Sequence, residues 1–178
     1  LFSTRAFDSL TNKAEYIQQS LVVQKEAAIG AFFGISTVAR SLFQKETTSL
    51  VDNAGAVAGV INCLATLPTG PPIIAIDCEG KDVGRYGTLA VIQLHDFRNN
   101  HTFIIDVVIL GHATFYTCAT NSTMTLRDIF ELPLIRKIMW DFRNDQDAIF
   151  AGFAVELDGI DDAQILELAT RCACDREK

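Results

Sequence analysis

Residues 71–80 read PPIIAIDCEG, from Pro71 to Gly80. Ile73, Ile74, Ala75 and Ile76 form a short apolar run rich in β-branched residues, entered through a proline pair and left through Gly80. That is the pattern of a central strand covered on both faces. Side chains alternate across a strand, so Asp77 and Glu79 go to one side and Cys78 to the other. Two like charges held about 5–7 Å apart repel each other unless something cationic sits between them. A divalent metal ion is a common answer, because hard cations take oxygen ligands. Two solvated acids where a strand meets a loop satisfy the same spacing, so the dipeptide alone leaves both readings open.

Upstream, Leu50, Val51, Ala54, Val57, Ala58, Ile61, Leu64 and Ala65 fall at helical spacing within Thr48 to Leu67, with Asp52 or Asn53 placed to cap the helix. Pro68, Gly70, Pro71 and Pro72 end it. Downstream, Lys81 to Gly87 reads as a turn, Thr88 to His95 as a second strand and Thr102 to Leu110 as a third. Short polar links between these three strands favour an antiparallel meander. Gly111 to Thr123 reads as a loop. Thr125 to Leu132 reads as a short helix, with Thr125 capping it and Asp128 in its first turn. Ile135 to Trp140 is a fourth strand, followed by a helix from about Asp145 to Phe153 with Ile149, Phe150 and Phe153 as its apolar stripe. Val155 to Ile160 reads as a short fifth strand, and Asp161 and Asp162 cap a last helix, Ala163 to Arg171. A meander followed by alternating strand and helix is a mixed α/β sheet.

Composition bounds the partners. The chain has 178 residues, 49% hydrophobic and 21% charged, with a formal net charge of −7. That suits one domain with a real core. An acidic chain is a poor non-specific binder of nucleic acid, but a small site can still meet phosphate through metal ions. The five cysteines show no CxxC pair, which favours reduced thiols in a cytoplasmic or nuclear setting. No apolar stretch approaches the length that spans a bilayer. Residues 1–48 carry no motif; Ala14 to Ala28 and Ile35 to Lys45 have helix-forming composition and read as a helical or poorly ordered extension before a domain at 49–178.

Asp145 and Asp147 stand at the start of the helix after the fourth strand. A crossover commonly lays such a strand beside the first and parallel to it, so that the ends of both share one edge. Asp145 would then face Asp77 and Glu79. Three converging carboxylates suit two divalent metals about 3.5–4 Å apart, which activate a water and stabilise the leaving oxygen of a phosphodiester. Helix capping explains Asp145 equally well when it is taken alone.

The stretches IIAIDCEGKDVGRYGTLAVIQLHD, TFIIDVVIL, MWDFRNDQDAIFAGFAVEL and IDDAQILELA resemble, in order and spacing, the 3′–5′ exonuclease domain of the ribonuclease-D-like DEDD superfamily, nearest to the Egalitarian-like exonuclease-domain proteins. The resemblance covers about residues 71 to 171. It implies an RNase-H-like fold, two Mg2+ or Mn2+ ions, and removal of nucleotides from the 3′ end of RNA or single-stranded DNA. It matches Asp77 and Glu79 to the first metal-binding motif and Asp145 to the second, with Asp147 as the alternative. Asp162 falls on a family aspartate and reads as a cap that shapes the site. Arg85 and Tyr86, after the first motif, are candidates to contact phosphate and stack on a base; a solvated turn with one packed ring is the plainer reading.

The family also carries a later motif, a Tyr or His four residues before a last aspartate, and no such pair follows Arg171. The expectation is therefore a C-terminally incomplete domain from a fragment or an incomplete gene model. An inert nucleic-acid- or protein-binding module of the same fold is the alternative. His95, His101 and His112 read as surface or loop residues.

Overall fold

The computed structural model describes residues 46–65 and 74–174, with side chains described as far as residue 169. All of them belong to the compact unit Gln44–Lys178. The helical or poorly ordered extension expected over residues 1–48 lies, as far as residue 45, outside the described residues.

Six strands form one mixed sheet in the order β1-β4-β3-β2-β5-β6. They are β1 Thr47–Val51, β2 Ile74–Lys81, β3 Thr88–Asp96, β4 His101–Asp106, β5 Lys137–Met139 and β6 Ile160–Asp162. The meander expected from the short links is present: β2 pairs antiparallel with β3, and β3 with β4. The crossover also falls as expected, with β5 parallel to β2 and β6 parallel to β5. This is the mixed sheet with flanking helices that the resemblance implies.

One face of the sheet is the core. Ile74, Ile76 and Cys78 of β2, Ile92 and Leu94 of β3, and Phe103 and Ile105 of β4 are all buried. Helix α1, Ala54–Leu64, covers them with Val57, Val60, Ile61 and Leu64. Further cover comes from two short helices, α2 Val107–Leu110 and α3 Ala113–Tyr116, and from α4 Leu126–Glu131. Phe115 of α3 meets Phe130 of α4 edge-on, with ring centroids 5.6 Å apart. Helix α5, Arg143–Phe153, follows β5, and α6, Ala163–Cys174, follows β6. On the second face of β2, Ala75, Asp77 and Glu79 are half-buried. The expected cover on both faces of this strand therefore holds for one face only.

Several local expectations are corrected. Thr48 to Val51 is not helix: Thr47–Val51 is an edge strand pairing parallel with β4, and the helix starts after Asn53, whose side chain accepts from the Ala56 N–H. A cap cannot act on residues before it, so the apolar spacing of Leu50 and Val51 belongs to the sheet. The third strand ends at Asp106, which caps α2 by accepting from Ile109 N at 2.9 Å; Val107–Leu110 is helical despite its β-branched residues. The segment read as a loop from Gly111 contains α3. The fifth strand is Ile160–Asp162 and not Val155 to Ile160. In α5 the buried residues are Ala148 and Ile149, and Phe150 is 52% exposed. Thr125 caps α4 as expected, and Asp128 in its first turn completes a full reciprocal capping box.

Candidate active site

The first-motif acids sit within β2, which runs on to Lys81, and not where the strand meets a loop; they lie beyond its last contact with β5. The β2–β5 register pairs Ile74 with Lys137 and Ala75 with Ile138 and then stops, which frees that edge of β2 beside Asp77 and Glu79. Immediately after Glu79 the β2–β3 register shifts by a bulge. Bulges bend a strand and re-aim its side chains. Gly80 permits this one, because a Cβ there would run into the carbonyl of Thr88.

The second-motif acid reaches the same place from β5. Asp141 turns the chain out of the strand with a left-handed backbone, φ 48°. Its N–H donates to Asp162 Oδ1 at 3.2 Å, and its own carboxylate accepts from Arg143 Nε at 2.6 Å. Asp162 Oδ1 also accepts from Gln164 N at 2.9 Å. One carboxylate thus ties the end of β5 to the start of α6, with the capping contact expected of Asp162. Asp145 then lies in the first turn of α5.

Two of the three acids, Asp77 and Asp145, feel the charge of the others. Partial burial, and then the neighbouring charge of Glu79, push Asp77 up to about 6. Burial, and then the charges of Asp77 and Glu79, push Asp145 up to about 7. Cys78, buried on the opposite face of β2, is pushed well above the usual thiol range by burial and by the same three acids. Among the described residues, no cation pairs with Asp77, Glu79 or Asp145. The cations nearby are engaged elsewhere: Arg143 with Asp141, Arg136 with Asp161, and Arg85 with Asp147 at 3.3 Å. Arg136 and Arg143 therefore balance acids outside the trio, and Lys137 donates to the backbone carbonyls of Leu132 and Asp158. Asp147, the alternative to Asp145, is held by Arg85. Tyr86 projects into solvent, 97% exposed.

Divalent cations suit this donor set: three carboxylates, hard oxygen donors, partly stripped of water and left without a counter-charge. The fit is one of chemistry and not of a preformed cage. Among the described residues, no group of three or more His, Cys, Asp or Glu side chains is arranged to hold an ion as it stands.

The histidine expectation fails for His95, which is 3% exposed, with Nδ1 2.8 Å from Thr102 Oγ1. Two of the buried polar residues that the sequence did not mark are Lys137, fully buried, and Gln93, 1% exposed; Gln93 sits inside the apolar run LAVIQL, and Lys137 beside Arg136 reads as one of a pair of surface cations.

The family follows from comparison with known proteins. Residues 49–175 match the family model described as 3′–5′ exonuclease. The chain belongs to the 3′–5′ exonuclease family. This exonuclease domain resembles Trypanosoma brucei RNase D in complex with the RNA U12, with a TM-score of 0.59 and 21% identity over 72% of this chain and 41% of that one. It resembles the EXD2 exonuclease domain, with a TM-score of 0.55 and 16% identity over 72% of this chain and 62% of that one. It also resembles the catalytic core of Trypanosoma brucei RRP6, with a TM-score of 0.52 and 20% identity over 74% of this chain and 30% of that one. At these identities the likeness shows the fold alone. The chain spans less than half the length of the RNase D it matches. No curated protein sequence matches it. Among the described residues, no helix is long and apolar enough to cross a membrane.

The trio sets a pH dependence in the metal-free protein. A carboxyl whose folded pKa is raised stabilises the fold below its unfolded value and loses that contribution as pH rises through the folded value. For Asp77 and Asp145 the loss spans the interval from 3.8 to about 6 and about 7. Metal-free Asp145→Asn is therefore expected to melt a few degrees above wild type at pH 7.5, an effect on the order of 1 kcal/mol after screening by the water that reaches the site. The gain should shrink at pH 5. Thermal melts in chelator at both pH values check this; a variant less stable than wild type at pH 7.5 contradicts the repulsion.

Proposed function

We propose that the chain carries the core of a metal-dependent 3′–5′ exonuclease that hydrolyses phosphodiester bonds at nucleic-acid 3′ ends, with Asp77, Glu79 and Asp145 holding two Mg2+ or Mn2+ ions. The observation that carries this reading is that Asp145, in the first turn of α5, feels the charges of Asp77 and Glu79 of β2, and that none of the three has a cation partner among the described residues. When bound, the ions supply a nucleophilic water and neutralise charge on the leaving oxygen. The protein's part is to hold the acids. β2 presents Asp77 and Glu79 on one face, the bulge at Gly80 aims Glu79, and the Asp141–Asp162 tie fixes where α5 begins and so where Asp145 stands. The RNA bound to the Trypanosoma brucei relative supports RNA as the first substrate to test, with single-stranded DNA second. Full-length protein with Mn2+ should shorten a 5′-labelled single-stranded oligonucleotide progressively from its 3′ end, and chelator should stop it. Cleavage that survives chelation, or that proceeds from the 5′ end, overturns the reading.

Arg85 and Tyr86 supply substrate contacts on the turn that follows β2. Arg85 is held by an exposed ion pair worth about 0–1 kcal/mol, which a phosphate can displace. Tyr86 is an open stacking platform, worth about 1–3 kcal/mol per base. Arg85→Ala and Tyr86→Ala are each expected to raise KM about tenfold with little change in kcat. Steady-state kinetics on a single-stranded oligonucleotide check this, and a fall in kcat at unchanged KM would count against a binding role.

A further inference from the structure

We infer that Gln93 is a positioning residue for Asp77, its side-chain amide donating a hydrogen bond to the Asp77 carboxylate when that carboxylate is ionised and loaded. The inference rests on the reading of Asp77 as a metal ligand. Gln93 is 1% exposed, and neither its amide nitrogen nor its amide oxygen has a hydrogen-bond partner among the described residues. A buried amide with both ends unpaired is rare in folded proteins and asks for a partner. The sheet register supplies one. Gln93 of β3 stands directly opposite Asp77 of β2, so both side chains lie on the same face. Directly opposed residues place their Cβ atoms about 4.5–5.5 Å apart, a gap that a glutamine side chain can close. The other neighbours on that face offer less. Ile104 lies opposite Gln93 on β4, and Val91 precedes it on the same side of β3. His95, which follows it, is engaged with Thr102. Glu79 sits only on the diagonal.

The chemistry is complementary. An ionised carboxylate has about four acceptor sites, more than a cation uses, and ligating carboxylates are themselves usually hydrogen-bonded. The amide NH2 of Gln93 can donate without adding charge to an already repelling trio, while its carbonyl oxygen stays free to accept from water. Neither a lysine nor a carboxylate at position 93 would meet both conditions.

Gln93→Met separates this role from a packing role, because it keeps the length of the side chain and removes only the amide. Titration calorimetry with Mn2+ on the full chain is expected to show affinity about 10–100-fold weaker than wild type. The metal-free melting temperature should match or exceed wild type, since an unpaired amide has been replaced by an apolar group of similar volume. Gln93→Asn, which keeps the amide but withdraws it, should lose affinity similarly. Mn2+ affinity within twofold of wild type in either variant overturns the inference, as does a Gln93→Met protein that melts lower or fails to fold. Asp77→Asn serves as the reference: if wild type binds Mn2+ and Asp77→Asn does not, the metal reading stands whatever Gln93 does. If wild type binds no Mn2+, that reading falls and Gln93's role falls with it.

Discussion

Asp77→Asn in the full-length protein is expected to lower Mn2+-dependent shortening of a 3′ end by about a thousandfold or more. Metal-ion stabilisation of a phosphoryl transition state is worth several kcal/mol, and each 1.4 kcal/mol is about tenfold in rate. Asparagine preserves the shape of the side chain and removes only the charge that would hold the ion. The fold should not suffer. Asp77 is half-buried beside Glu79 and without a cation among the described residues, and its carboxyl is held up at about 6 by burial and by that neighbour. Removing one of the repelling charges should leave metal-free stability near pH 7.5 equal or slightly raised. Loss of activity together with retained or increased stability is the signature of a ligand; loss of both would make Asp77 a structural residue. A variant that keeps more than about a tenth of wild-type activity would remove Asp77 from the metal site and leave the cluster unexplained.

The contrast between the three site acids and the other acids around them sharpens this argument. Asp141, Asp147, Asp161 and Glu131 each have an arginine: Arg143, Arg85, Arg136 and Arg127. A fold that sought only local charge balance had cations within reach of the site. Arg85 follows Glu79 in the next turn, and Arg143 precedes Asp145 by two residues. Both are turned to other acids. Retained like-charge repulsion is costly unless a ligand relieves it, and among the described residues only Asp77, Glu79 and Asp145 are drawn together in this way without an arginine.

What could be read from the sequence follows the range of the forces involved. The β2 strand, its alternation of acids about Cys78, and the Thr125 cap with Asp128 in the first turn depend on neighbours within a few residues, and all were legible. The meander was legible because its links are short. The strand Thr47–Val51 was not, because its partner lies 54 residues later and its TTSLV sequence does not alternate. Val107–Leu110 misled in the opposite sense: four apolar residues, two of them valine, look like strand until Asp106 is seen to cap them. At the site, Asp77, Glu79 and Asp145 were named from spacing. The preference for Asp145 over Asp147 came from resemblance, and the structure adds that Asp147 belongs to Arg85. The burial of Gln93 and Lys137 had no local signal, since what surrounds each comes from other strands and loops.

Lys137 carries the second large expected effect, and its sign depends on pH. It lies at the start of β5, fully buried on the face it shares with Ile74, and its Nζ donates to Leu132 O at 2.8 Å and Asp158 O at 2.9 Å. Those two bonds tie the loop before β5 to the segment before β6. Burial lowers Lys137 from 10.5 to about 8, with Asp158 opposing that shift. A folded pKa below the unfolded one means that the unfolded chain binds more protons between these values, so the contribution to stability is full above about 10.5 and is lost as pH falls through about 8. Lys137→Met keeps the apolar stem and leaves both carbonyls without their donor. Near pH 7 the cost of unpaired carbonyls, about 1–3 kcal/mol each, is partly offset by no longer burying a charge. At pH 9.5 most of that offset is gone, and the deficit relative to wild type should be larger by about 2 kcal/mol. Urea denaturation of both proteins at pH 7.0 and 9.5 measures the difference directly. A deficit that stays flat or shrinks with rising pH would show that Lys137 is not held in the buried, carbonyl-bonded state. A deficit that grows while the activity of the remaining folded protein is unchanged would place Lys137 in the scaffold that carries β5 toward Asp145, and outside the chemistry.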